Sequence, residues 1–262
     1  MSLSIKTRKN IYELLVLKVR EKIKNYNPET DHKPFHYRLL GRDRYTIFSF
    51  IQSMNTTFGM SIWEQISEEI AIGANFKVKR QYQLLGTIDS ETEALISKMH
   101  YDLRKNDTNS SKPDEINSIR DSIKKGEAVK DPDSIVDVYL NRKGINYFLD
   151  ITSVKPNIKE FVSLKLKLLR WVALSLSQSE NEQVESKIII PYNPYHPEPY
   201  ERWTLQGMYD LKNNEILVGE DYWNFIADDN IYEELLDVFS EAGEKIRVEL
   251  DQKFDEFKNL KD

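Results

Sequence analysis

Two β-rich runs, SIVDVYL at 134–140 and INYFLDITSV at 145–154, are separated only by NRKG, and each carries an aspartate. NRKG has hairpin-type turn chemistry, and strands joined by so short a turn pair antiparallel. Strand alternation puts Ile135, Asp137 and Tyr139 on one face of the first run, and Phe148, Asp150 and Thr152 on one face of the second. Asp137 and Asp150 can then come close across the ladder. Asp150 sits among Tyr147, Phe148, Leu149 and Ile151, and burying an isolated carboxylate costs several kcal/mol unless a charge or a metal compensates it.

Two like charges that near each other call for a cation between them. Oxygen ligands without cysteine suit a hard ion, Mg2+ first. Lys155 leaves the second strand just before Pro156, close enough to serve the same pocket. Two carboxylates, a lysine and Mg2+ are equipment for phosphodiester hydrolysis, in which the lysine helps hold the attacking water. The bland alternative is a hairpin whose aspartates sit at strand ends and bond backbone amides.

Elsewhere the pattern is mostly helical. Apolar residues recur at helical spacing from Ile5 to Ile23, and TIFSFIQSMNTTFG and SIWEQISEEIAIG read as helices closed by Gly59 and Gly73. SETEALISKMHYDLRK opens with Ser90 and Glu93 in capping-box spacing. SSKPDEINSIRDSIKKG places Pro113 in a first turn and Gly126 at a C-cap, so the chain reads as helical up to that point. After the hairpin come an amphipathic helix from about Asn157 to Leu176, a buried strand in KIIIPY, the Pro/Tyr-rich loop NPYHPEPYERW, a short strand in EILVG and an acidic helical end. The expected fold is α/β in one domain: 1–126 mainly helical, 127–227 a core with a recognition loop, 228–262 an acidic helical C-terminus.

Composition narrows the chemistry. The 262 residues are 40% hydrophobic and 31% charged, as in ordinary globular proteins, and hold no cysteine, which excludes disulfides and thiolate sites. His32 and His36 have metal-pair spacing, but Pro34 between them favours a loop. No run approaches the ~20 apolar residues of a membrane span, and MSLSIKTRKN lacks a signal-peptide apolar region, so a cytoplasmic chain is expected. The net charge of −6 is uneven. Residues 228–262 carry twelve acidic and five basic side chains, whereas 1–24 carry seven basic and two acidic. A basic helix from Lys6 to Lys24 could meet phosphates, with the acidic tail facing away.

The Asp137 strand, the hairpin and FLDITSVK resemble the PD-(D/E)xK nuclease core of restriction endonucleases. More specifically, DITSVKPNIKEF, LKLKLLRW, YNPYHPEPYERWT, EILVGEDYWNFI and YEELLDVFSEAG resemble the MjaII/TdeIII family of type II restriction endonucleases, over roughly 131–244. That resemblance implies a mixed sheet flanked by helices and a Mg2+-dependent homodimer. It also implies cleavage of double-stranded DNA at a short palindromic site of GGNCC type, and a companion DNA methyltransferase that protects the cell's own sites. The nuclease motif puts its lysine two residues after the second acid, where this chain has Thr152. Lys155 has the opposite parity, so it does that job only if the strand bulges or ends before Pro156. Otherwise Lys165 or Lys167 of the next helix reaches back, or the site is weakened. Glu64, beside the apolar face of Trp63, Ile66 and Ile70, is the expected helical carboxylate. For DNA contact the candidates are Arg202, Asn193, Gln206 and Lys165, because arginine and lysine suit guanine edges and amides suit adenine. A structure-specific or repair nuclease on the same fold is the alternative of like chemistry. A DNA-binding protein with a degraded site is the alternative of a different class.

Overall fold

The computed structural model describes residues 2–27, 33–201 and 205–259. In chain order these form α1 (Ile5–Asn25), α2 (Pro34–Leu40), α3 (Arg42–Thr57), α4 (Trp63–Gly73), β1 (Lys77–Leu85), α5 (Ser90–Lys105), α6 (Lys112–Ser122), β2 (Lys130–Arg142), β3 (Ile145–Ile151), α7 (Ile158–Gln178), β4 (Gln183–Ile190), β5 (Ile216–Val218), α8 (Glu220–Ala227) and α9 (Tyr232–Lys258). They divide into two compact units, residues 1–69 with 231–262, and residues 70–230. The units do not follow the divisions at 126 and 227 expected from the sequence. Among the described residues no helix is long and apolar enough to cross a membrane.

In the first unit α1 lies along α9, and Tyr26, Phe50 and Phe257 pack edge to face with ring centroids 5.0 and 5.7 Å from Tyr26. Arg8 pairs with Glu241 and Glu234, and Arg20 grips Glu249 through three hydrogen bonds of 2.7–3.0 Å. The acidic tail therefore does not face away from the basic helix. It neutralises part of it, because opposite charges on neighbouring helices settle against each other, and Arg8 and Arg20 are not open phosphate binders. Gly59 does not close α3: the backbone continues through a π-helical turn, Phe58–Ile62, into α4. Glycine permits a helix end without compelling one. His36 lies not in the expected loop but on α2, where Pro34 is tolerated in the first turn, and it packs against Tyr45; His32 lies outside the described residues.

The second unit is built on a five-stranded sheet in the order β1-β2-β3-β4-β5. The first three strands are antiparallel neighbours; β3, β4 and β5 are parallel. The step from β3 to a parallel β4 needs a crossover, which α7 supplies. Asn157 caps α7 with a complete capping box to Glu160. From there the helix lays Phe161, Leu168, Leu169 and Val172 over Phe148, Ile188 and Ile190. Its far side is covered by α5 and α6 through Ile96, Ile116 and Ile119, which is why Trp171 is fully buried. Each such side chain contributes about 1.5–3 kcal/mol on burial.

β1 is the strand that sequence periodicity missed. KVKRQYQLL carries Lys77, Lys79 and Gln81 on its exposed face, so long charged stems hide the alternation of Val78, Arg80, Tyr82 and Leu84. It is an edge strand, where charge is tolerated. The N-cap of α5 is Asp89, not Ser90: its carboxylate accepts the amides of Glu91 and Thr92 and that of Lys124. Partial burial pushes this carboxyl up, but the hydrogen bonds outweigh that and hold it at about 2. Nor does Gly126 cap α6, which ends at Ser122; its amide donates to Ser177 O. Gly86 does meet a hard constraint, since a Cβ there would stand 2.4 Å from Leu174 O and 2.9 Å from Leu174 C on α7. Gly86→Ala is expected to lower stability by about 1–3 kcal/mol in urea denaturation, because backbone cannot yield as a side-chain tip can.

Candidate active site

Lys143 (φ 52°) and Gly144 (φ 84°) both adopt the left-handed backbone of a type I′ turn, whose twist matches antiparallel strands. This sets the register from Arg142 opposite Ile145 up to Val138 opposite Leu149. The next residue outward on each strand is Asp137 and Asp150. Asp137 Oδ2 accepts the amide of Ile151 at 2.8 Å, so its side chain reaches across to the residue after Asp150. The aspartates share the α7 face of the sheet with Tyr139 and Phe148, whose rings stack at 6.0 Å.

Asp150 is only 4% exposed, and its Oδ2 is fully buried. The charge beside it is the ammonium of Lys167, which forms an ion pair with Oδ2. The ammonium is thus the partner of this oxygen. Lys167 Nζ also lies 4.7 Å from the Trp171 ring centroid, one helical turn on. Lys167 and Arg170 line a cleft of about 360 Å3 with Asp131, Ile135, Ser163, Leu166 and Leu174. Arg170 is held by Glu93 (2.6 Å) and Asp131 (3.0 Å).

The remaining expected site residues are dispersed. Lys155 is exposed, its Nζ stands 4.9 Å over the Tyr195 ring, and no ion pair joins it to Asp150. The strand ends at Ile151, and Val154 O accepts Tyr200 Oη at 3.1 Å, so the segment that carries Lys155 docks on the Pro/Tyr-rich loop. Thr152 uses its amide to extend the sheet to Ile189 O. Asn193 shapes its own loop, with Nδ2 donating to Glu198 O at 2.7 Å and Oδ1 accepting Tyr195 N at 2.9 Å. Gln206 is exposed and lines a second cleft of about 440 Å3 with Arg104, Asn106 and Lys159. Glu64 is buried in the first unit. Arg202 lies outside the described residues.

Lys165 was expected at DNA or reaching back to the acids, and the structure corrects this. It is fully buried, and its ammonium donates to Ser110 Oγ, Glu115 Oε2 and both oxygens of Glu215 at 2.7–2.9 Å. Lys112, also enclosed, donates to Ser186 Oγ at 2.7 Å and Glu215 Oε1 at 3.1 Å. Two lysines and two glutamates thus compensate one another in the core. Burial pushes the Glu215 carboxyl up, but Lys112 and Lys165 more than reverse this and hold it below the usual carboxylate range. Nearby, burial raises the Tyr209 hydroxyl well above its ordinary value, with the charges of Glu215 and Asp150 adding to it. No local signal marked this network: Lys112 and Glu215 are 103 residues apart.

A mixed sheet with two aspartates at the open end of its hairpin, under a helix that supplies an ammonium, is a restriction-endonuclease-like α/β fold. The family profile described as Type II restriction endonuclease, HinfI, matches residues 3–243, and the chain belongs to that family of site-specific endonucleases. Similar proteins include the type II restriction enzymes HgiCII and HgiEI of Herpetosiphon aurantiacus. Each is 24% identical to it, over 81% of this chain and 78% of HgiCII, and over 95% of this chain and 92% of HgiEI. The type II restriction enzyme MjaII of Methanocaldococcus jannaschii is 24% identical over 80% of this chain and 58% of its own length. No solved structure matches the chain.

Proposed function

We propose that this chain hydrolyses double-stranded DNA at a short palindromic site, of GGNCC type, as a Mg2+-dependent homodimer in the cytoplasm beside a companion methyltransferase. The observation that carries the reading is the buried carboxylate of Asp150, one cross-strand step from a second carboxylate, Asp137, and paired with the part-exposed ammonium of Lys167. Among the described residues no group of three His, Asp or Glu side chains could hold a metal. Two carboxylates suffice for Mg2+, which keeps several waters and takes further ligands from substrate phosphates. The donor set therefore fits. Asp137 and Asp150 would hold the ion; when bound it polarises the phosphoryl oxygen and acidifies a water.

The chain's own groups do the rest. Arg170, fixed by two carboxylates, edges the cleft beside Lys167 and presents a positioned charge toward a phosphate. Gln206, Arg104 and Lys159 offer amide and cationic donors at the second cleft, suited to base edges and backbone. Two-fold symmetry would let identical subunits read both half-sites and cut both strands. The deciding experiment is digestion of long unmethylated duplex DNA with and without Mg2+. Discrete Mg2+-dependent bands are expected, and their ends give the site. A smear would point to a nuclease without a fixed sequence, and intact DNA would sink the endonuclease reading.

A further inference from the structure

We propose that Lys167, on α7, is the ammonium of the active site, taking the part that the nuclease motif gives to a lysine at the position of Thr152; this rests on the endonuclease reading above. Three lysines follow the second aspartate closely enough to compete. Lys155 is exposed and sits over Tyr195. Lys165 is sealed in the core with every donor engaged by Ser110, Glu115 and Glu215. Lys167 alone of the three meets Asp150. Helix geometry separates the last two: residues two apart point about 200° from each other, so when Lys165 faces the core network Lys167 must face elsewhere.

Its surroundings suit the task. At 31% side-chain exposure Lys167 is neither sealed nor free, and it opens on the cleft shared with Ser163 and Arg170. The Trp171 ring beneath its ammonium restricts the side chain, which lowers the entropy lost in holding one geometry. In the reaction the ammonium donates to the attacking water and the scissile phosphate. The bond formed joins water oxygen to phosphorus, and the bond broken joins phosphorus to the departing sugar oxygen. The water's proton leaves to solvent, and the departing oxygen takes one from solvent.

The test compares Lys167→Met with wild type in two measurements. With Mg2+, cleavage by the variant is expected to fall by about a hundredfold or more, as on loss of one preorganised donor. In calorimetry with Mn2+ and no DNA, the variant is expected to bind the ion about tenfold more tightly, because a competing cation has left Asp150. Tighter metal binding shows that the ammonium and the ion share Asp150, and cleavage lost although the metal is held more tightly shows that the ammonium acts in the reaction rather than only balancing the carboxylate. In Thr152→Lys/Lys167→Met, a lysine restored at the motif position is expected to recover at least about tenfold of the lost rate. Cleavage retained by Lys167→Met but lost in Lys155→Ala would overturn the proposal and return the role to the strand exit; so would unchanged or weaker Mn2+ binding by Lys167→Met. Wild-type protein that fails to cut DNA with Mg2+ sinks the endonuclease reading itself, an outcome distinct from wild type and Lys167→Met cutting equally well.

Discussion

Asp150→Ala protein is expected to leave duplex DNA uncut at Mg2+ concentrations where wild type digests it fully, a loss of about a thousandfold or more. That corresponds to about 4 kcal/mol of transition-state stabilisation, within what a metal held at the scissile phosphate supplies. DNA binding without metal should persist, since Asp150 lies 4% exposed beneath α7 and is not a surface contact. Stability should not fall either. The substitution removes a buried carboxylate that is costly to desolvate, and its partner Lys167, at 31% exposure, can turn its ammonium to water. Lost cleavage with an equal or higher melting temperature is the signature of a group retained for chemistry at some cost in stability. Cleavage that survives Asp150→Ala would refute the site.

Lys165→Met should have the opposite signature, failing in folding first. Removing this ammonium leaves Glu115 and Glu215 facing one another in the core with only Lys112 to compensate them. Breaking a buried ion pair from one side costs about 3–5 kcal/mol, a large share of the 5–15 kcal/mol by which a domain is stable. The pH dependence follows from the same charges. In the intact protein Glu215 is held below its unfolded value. Its contribution is therefore present above the unfolded carboxylate pKa, about 4.3, and is lost as pH falls through the lower folded value. Without Lys165, two of the interactions that offset burial are gone, so the folded pKa of Glu215 moves up and its contribution at neutral pH shrinks. The deficit of Lys165→Met measured in urea should be largest near pH 7 and shrink as the pH falls into the carboxylate range. A deficit independent of pH would mean that the lysine contributes packing rather than charge.

The contrast between these neighbours on α7 shows how far the sequence could be read. LKLKLLRW has the apolar periodicity of a buried helix, and the capping box at Asn157 and Glu160 marks where it starts. The hairpin was equally legible: Lys143-Gly144 selects a type I′ turn, and alternation then places Asp137 and Asp150 on one face. β1 was hidden by its charged outward residues, and α5 is capped one residue before the expected position, by Asp89, because aspartate competes with serine for that role.

The sequence by itself determined the turn, the antiparallel hairpin, the shared face of Asp137 and Asp150 and most of the helices, because these depend on backbone preferences and periodicities spanning a few residues. Only the tertiary structure decided which charge meets which. Arg20 finds Glu249 from 229 residues away, Lys112 finds Glu215 from 103, and Lys167 rather than Lys155 stands at Asp150. A charged side chain takes its partner from whichever distant element packs against it, and that packing is fixed by the burial of apolar faces that the charge itself does not reveal.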